Sequence, residues 1–260
     1  MSILDLLLTL LYPPRCSSCG RDLRRLLQPS LCRACIAELG TIGAACARCG
    51  EPGETSPCVQ CRRSPPPFRH ARACFRYREG GLSSSLVWRW KYGRDHVLGR
   101  SLSGLFAAQR RLESECYDVV VPVPLHDSRL AGRGFNQAVL LARAALLPNE
   151  RLAPRALRRT NRTSSQTSLG RRARLGNVRA AFTVADPGAL RGRTVLLVDD
   201  VLTTGATVRE CATVLRAAGA AVVDVWTLAR TPRLRVPAPP PGDVSMAPRL
   251  VPAGVTEEAP

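Results

Sequence analysis

Residues 195–207 read Val-Leu-Leu-Val-Asp-Asp-Val-Leu-Thr-Thr-Gly-Ala-Thr. Val195 to Val198 is a short, continuous apolar run, the pattern of a strand buried on both faces of a parallel sheet. Asp199 and Asp200 fall at its carboxyl end, where open α/β sheets place their ligands. Thr203, Thr204, Gly205, Ala206 and Thr207 form a turn of small side chains, whose backbone N–H groups and hydroxyls can close on an anion. From Val208 to Gly219 apolar residues recur at helical spacing and a glycine ends the run, so that anion would rest on a helix N-terminus. Carboxylates make no useful contact with phosphate, so Asp199 and Asp200 are read as acceptors for sugar hydroxyls or as holders of a divalent cation. The plain alternative is an ordinary strand-to-helix turn with an aspartate cap.

Working outward, strands are predicted at 71–77, 117–124, 195–198 and 222–228, and helical stretches at 82–112, 136–147 and 208–218. Strands alternating with helices predict an α/β fold with a parallel, doubly wound sheet and helices on both faces. That domain spans 71–231. Ahead of it lie an N-terminal module over 1–63 and a stiff Pro-rich linker over 64–70; behind it, 232–260 is proline-rich, with little periodicity, and is predicted to be a disordered tail. Residues 3–11 are apolar and are read as a short amphipathic helix docking on a neighbour, or as a signal peptide without the basic start and small-residue cleavage site such peptides carry.

Eight of the eleven cysteines form four Cys-x-x-Cys pairs: Cys16/Cys19, Cys32/Cys35, Cys46/Cys49 and Cys58/Cys61. Two residues between thiolates let both sulfurs face one tetrahedral ion, and two such pairs complete a four-sulfur zinc shell. The spacing fits two consecutive zinc ribbons and hence two Zn2+, with redox or disulfide use of the pairs as the rival reading. Zinc would then supply most of the module's folding energy. Cys74, Cys116 and Cys211 lie outside the pattern and are expected to be small core residues. Metal-type rather than disulfide-type spacing places the chain in a reducing cytoplasm.

The net charge is +18, and Lys91 is the single lysine among 38 basic residues. Such a field favours polyanions or phosphorylated metabolites, though a solvated arginine-rich surface gives the same count. With 45% apolar residues the chain reads as globular, and no run is long enough to span a bilayer.

Three further segments could carry chemistry. Residues 122–137 read Pro-Val-Pro-Leu-His-Asp-Ser-Arg-Leu-Ala-Gly-Arg-Gly-Phe-Asn-Gln, a loop offering Arg129, Arg133, Asn136 and Gln137 to an anion. Residues 158–178 are polar and basic, the composition of a mobile lid over a phosphorylated substrate or of a surface loop. In Trp88-Arg-Trp-Lys-Tyr92, Lys91 and Tyr92 are read as contacts to DNA or substrate, with helix packing by Trp88, Trp90 and Tyr92 as the alternative. Gly93 to Ser101 looks superficially like a nucleotide-binding phosphate loop but has the wrong glycine spacing and Arg100 where lysine is required.

The string 195–207 closely resembles the phosphoribosyl-pyrophosphate signature of type I phosphoribosyltransferases. Together, the cysteine pairs, Lys-Tyr-Gly at 91–93, Val-Pro-Val-Pro at 121–124, Arg-Gly-Phe-Asn-Gln at 133–137, Asn-Val-Arg-Ala-Ala-Phe at 177–182 and the 195–207 string are similar to the ComF (ComFC/GntX-like) family of competence-associated phosphoribosyltransferase-like proteins. The resemblance implies a type I phosphoribosyltransferase-like sheet over 71–231 behind a double zinc ribbon. It further implies that 203–207 cradles a 5'-phosphate, that Asp199 and Asp200 face the ribose hydroxyls as catalytic residues, and that Pro122, Val123, Pro124 and Leu125 form the pyrophosphate loop. Arg133, Asn136 and Gln137 would begin the following helix, while about 159–177, with Gln166, Arg172 and Asn177, would form a flexible hood. Ala206 stands where many such enzymes carry a second glycine. The implied ligand is phosphoribosyl pyrophosphate with Mg2+, and the implied setting is DNA uptake in natural competence. The competing functional class is a non-catalytic adaptor that binds single-stranded DNA and other competence-machinery proteins.

Overall fold

The computed structural model describes residues 14–23, 30–93, 95–113, 115–160 and 181–233. Its strands are β1 (Ala71–Arg76), β2 (Val119–Pro122), β3 (Arg151–Leu152), β4 (Leu157–Arg159), β5 (Phe182–Val184), β6 (Thr194–Leu202) and β7 (Val222–Arg230). Its helices are α1 (Arg33–Glu38), α2 (Val59–Arg63), α3 (Leu82–Tyr92), α4 (His96–Arg111), α5 (Asp127–Arg133), α6 (Gln137–Ala145) and α7 (Ala206–Ala217). Five strands form one sheet in the order β1-β7-β6-β2-β3, every neighbouring pair parallel. β4 and β5 make a separate antiparallel pair.

Sheet residues alternate between two apolar clusters because successive side chains of a strand point to opposite faces. Val120, Leu196, Val198, Trp226 and Leu228 face Leu98, Leu102 and Phe106 of α4 and Leu141, Ala142 and Ala145 of α6. Val119, Val121, Val195, Leu197, Val223 and Val225 face Val208, Cys211, Ala212 and Leu215 of α7. The helical sets recur every three or four residues, so each helix presents one apolar stripe, and each fully buried leucine or phenylalanine contributes about 1.5–3 kcal/mol. The predicted α/β sheet with helices on both faces is the observed one.

The N-terminal cysteine module is not a separate bead. Cys16, Leu31, Cys32, Cys35 and Leu39 pack in the first of these clusters, and Cys46, Cys49, Cys61 and Phe68 in the second. One ribbon therefore adds to the core on each side of the sheet. Cys74 and Cys211 are buried as expected, whereas Cys116 is exposed in the coil before β2, which corrects its reading as a core residue. No helix among the described residues is long and apolar enough to cross a membrane.

β6 continues four residues past the predicted Val198, and the reason lies in its neighbours. β2 pairs with it only as far as Pro122 opposite Val198, where Val123 N makes the last bond, to Val198 O at 2.8 Å. β7 keeps pairing to Arg230 opposite Leu202. Asp199 and Asp200 thus sit on a rigid strand whose β2 side is open.

A buried ion pair fixes the turn into β3. Arg110 Nη2 lies 2.7 Å from Glu150 Oε1, with side chains 0% and 1% exposed. The same carboxylate accepts from the N–H groups of Tyr117, at 3.0 Å, and Leu147, at 2.9 Å. Truncating Arg110→Ala leaves a buried charge uncompensated and is expected to cost about 3 kcal/mol. A urea unfolding midpoint reads this directly, and a loss under about 1 kcal/mol would contradict the assignment.

Candidate functional site

The glycine turn after β6 is built as its sequence suggests. Gly205 adopts φ +81 and begins α7 without a side-chain cap. That left-handed conformation strains any residue with a Cβ, which accounts for glycine here. Gly205 is buried, while Thr203, Thr204, Ala206 and Thr207 are exposed around it. Thr204 Oγ1 accepts from Ala206 N at 3.3 Å. The N–H groups of Thr207 and Val208 belong to the first turn, which has no intrahelical acceptors. The turn is an exposed rim of hydroxyls and amide donors on a helix start.

Beside it, Asp200 N donates to Asp199 Oδ1 at 2.8 Å, and Lys91 Nζ lies 2.9 Å from Asp200 Oδ2. Both side chains of the Lys91–Asp200 pair are largely enclosed, at 18% and 13% exposure. Trp90, the residue before Lys91 in α3, is fully buried and seats that helix. α3 and α4 approach so closely there that a Cβ on Gly99 would sit 2.5 Å from Trp90 Nε1. The chain's single lysine is therefore a fixed counter-ion at the carboxyl end of β6.

Burial, and then the charge of Asp200, raise the Asp199 carboxyl to about 7, against the lowering effects of the Asp200 N–H and Lys91. Because the folded value lies above the ordinary 3.8, the ionised form is disfavoured by folding. That penalty is absent below about pH 4, grows as pH rises, and is full above about 7. Asp199→Asn is therefore expected to raise Tm by about 2–4 °C at pH 8 and to have no such benefit near pH 4. Equal Tm values for the two proteins at pH 8 would contradict it.

An open cavity of about 430 Å3 adjoins this pair, lined by Lys91, Tyr92, Arg129, Gly132 and Arg133. Residues 127–133, read as loop from the sequence, form α5, so Arg129 and Arg133 stand one turn apart on one face. Arg133 is anchored: Nη2 donates to Tyr92 OH at 3.0 Å, Nη1 to Gln137 Oε1 at 3.3 Å, and its guanidinium lies 4.9 Å from the Tyr92 ring centroid. Gln137 is fully buried beneath it. Asn136 caps α6 through Ala138 N and donates Nδ2 to Val123 O, each at 2.9 Å. Asn136 and Gln137 thus support the cavity wall, and Val123, which Asn136 holds, bonds Val198 O through its N–H at 2.8 Å. Of the hood residues, Gln166, Arg172 and Asn177 lie outside the described residues, as do the N-terminal helix and the C-terminal tail after Arg233; Arg233 itself, read as the start of that tail, is held by Glu51 and Thr204. β4 and β5 flank that hood, and Glu210 of α7 accepts from Ala181 N at 2.6 Å.

The cysteines gather in two sets, Cys16, Cys19, Cys32, Cys35 and Cys46, Cys49, Cys58, Cys61, with all sulfurs of a set within 4.8 Å of one another. Sulfurs on a tetrahedron about zinc at the usual bond length are about 3.8 Å apart. Cys16 and Cys35 are at 3.8 Å, Cys19 and Cys32 at 3.7 Å, and Cys49 and Cys58 at 3.6 Å. Backbone N–H groups also point at the sulfurs, from Cys32 to Cys16 and from Cys58 to Cys46, at 3.3 Å in both ribbons. Burial raises the Cys16 and Cys46 thiols, but such hydrogen bonds outweigh it and hold both at about 6, favouring the thiolate a metal needs. The donor sets and their spacing fit Zn2+. Each ribbon is completed by its own consecutive pairs, with no exchange between them.

A parallel sheet whose central strand ends in paired carboxylates and a glycine turn, behind two four-cysteine ribbons, defines a phosphoribosyltransferase-like protein with a double zinc ribbon. Family models agree: a phosphoribosyl transferase domain matches residues 141–238 and a double zinc ribbon domain residues 7–76. The DNA utilization protein YhgH of Escherichia coli O6:H1 is 34% identical over 209 residues, covering 77% of this chain and 90% of that protein. Competence protein F of Haemophilus influenzae is 29% identical over 228 residues, covering 83% of this chain and 96% of that protein. Competence protein ComFC of Streptococcus pneumoniae is 29% identical over 231 residues, covering 83% of this chain and 100% of that protein. The chain belongs to the ComF family.

Proposed function

We propose that the chain binds phosphoribosyl pyrophosphate with Mg2+ at the carboxyl end of β6 and acts in DNA uptake during natural competence. The observation that carries the binding is the Lys91–Asp200 contact at 2.9 Å, which joins the carboxylate pair and glycine turn to the cationic cavity of Lys91, Arg129 and Arg133. Thr203 to Thr207 take the 5'-phosphate, Asp199 and Asp200 accept from the ribose hydroxyls, and Pro122 to Leu125 together with the cavity of Lys91, Arg129 and Arg133 take the pyrophosphate. Two adjacent carboxylates, one raised to about 7 by burial and the charge of the other, carry more negative charge than Lys91 offsets, and they are the hard oxygen donors that Mg2+ prefers. Mg2+ would neutralise the pyrophosphate. The chain's own residues orient the ribose and fix its phosphates, which is how such transfers gain most of their rate. The names of the competence proteins among its relatives support the cellular role.

Isothermal titration tests the binding. Saturable heat with phosphoribosyl pyrophosphate that depends on Mg2+ is expected, and no heat in either condition would sink the reading.

A second reading, direct binding of single-stranded DNA as an adaptor, rests on its own observation. Trp88 and Tyr92 are 61% and 58% exposed one helical turn apart, with Arg133 stacked on Tyr92. Bases stack on such platforms, and affinity should then fall steeply with salt.

A further inference from the structure

The two ribbons repeat one another in detail. Cys16 N donates to Arg21 O and Cys46 N to Glu51 O, each at 2.8 Å, and Gly20 and Gly50 close the same turn onto Cys16 and Cys46. The equivalent position following each turn differs in charge and surroundings. In the first ribbon it is Arg21, exposed to solvent. In the second it is Glu51, whose side chain is 9% exposed.

Glu51 is held by the segment that ends β7. Its Oε2 pairs with Arg230, whose side chain is 1% exposed, and its Oε1 accepts from Arg233 N at 2.6 Å. Arg233 in turn donates Nη2 to Thr204 O at 3.0 Å and comes within 3.9 Å of where a Cβ on Gly205 would lie. Thr231 N bonds Leu202 O at 3.0 Å, so this segment runs against the end of β6 just before the turn. A second tie leads the same way: Arg209, in the first turns of α7, donates Nη2 to Ser64 O at 2.9 Å, directly after the second ribbon.

We infer that Glu51 and Arg233 are a positioning pair through which the second zinc ribbon, and not the first, sets the conformation of the phosphate turn. This deepens the proposed phosphoribosyl-pyrophosphate reading and rests on it. The Thr204 carbonyl is held by a guanidinium whose Nε lies 3.7 Å from Oε2 of the buried Glu51 carboxylate, while Oε1 of the same carboxylate holds the Arg233 backbone N–H, so the peptide does not rotate freely. The Thr204–Gly205 peptide is therefore kept in the orientation that turns the following N–H groups outward. Without Glu51, Arg233 loses its anchor and the turn must be ordered by the ligand at the ligand's expense in affinity.

The test compares two probes, ribose 5-phosphate for the turn and pyrophosphate with Mg2+ for the cavity, on wild type, Glu51→Gln, Arg233→Ala and Arg21→Ala, each first shown to hold two zinc ions. Both Glu51→Gln and Arg233→Ala are expected to weaken ribose 5-phosphate about tenfold while leaving pyrophosphate within twofold; Arg21→Ala should change neither. The double variant should be no weaker than either single one. Unchanged ribose 5-phosphate affinity in Glu51→Gln overturns the inference. So does an equal loss for both probes, which would mark a general structural effect. A wild type that binds neither probe overturns the underlying reading, and the inference with it.

Discussion

Cys49→Ser is expected to lower the zinc content from two ions per chain to one and to lower Tm by more than about 10 °C. Structural zinc binds cysteine-rich modules with about 10–16 kcal/mol of apparent free energy, and that binding is folding energy where little else holds the module. Here the loss would spread. Cys46, Cys49 and Cys61 are part of the cluster that also holds Leu202, Val208 and Val225, so the ribbon is a wall of the sheet's core. Metal analysis by mass spectrometry and a thermal melt read the two halves of this expectation. Loss of one zinc with an unchanged Tm would mean the ribbon is a passive appendage.

The variant Asp199→Asn/Asp200→Asn is expected to weaken phosphoribosyl pyrophosphate by about 1000-fold or more, about 4 kcal/mol. Each carboxylate that accepts from a sugar hydroxyl contributes more than a neutral acceptor would, and the pair is also the oxygen donor set for the cation. Pyrophosphate without Mg2+ should keep its affinity, because Lys91, Arg129 and Arg133 remain and Lys91 is released from Asp200. The change removes charge and little volume, so the fold survives it. An affinity within tenfold of wild type would remove Asp199 and Asp200 from the site.

These expectations show which parts of the molecule the sequence made legible. The strand, carboxylate pair and glycine turn at 195–207 could be read because their chemistry is local: an apolar run, then acids, then small residues opening a helix. The cysteine sets were equally open to reading, since two-residue spacing already brings two sulfurs to one ion. Contacts between segments far apart in the chain were not. Nothing near Lys91 says that it meets Asp200, although a lone lysine in an arginine-rich chain was a hint of a local need for a compact ammonium. α5 was read as loop because Gly132 and Gly134 suggest one; only Gly134, at φ +78, ends the helix. The extension of β6 past Val198 depends on β7, which the sequence of β6 alone cannot reveal. Glu51 carries no signal of its own in the sequence, and its contacts appear only when the end of β7 is laid against the second ribbon.

The central claim is that phosphoribosyl pyrophosphate binds where β6 ends, and amide hydrogen exchange in the presence and absence of the Mg2+ complex tests it most directly. The account predicts that saturating ligand slows exchange in peptides covering 199–208 and 127–133, with little change in the ribbon peptides around Cys16 and Cys32. Ligand binding that leaves 199–208 and 127–133 unprotected would contradict it.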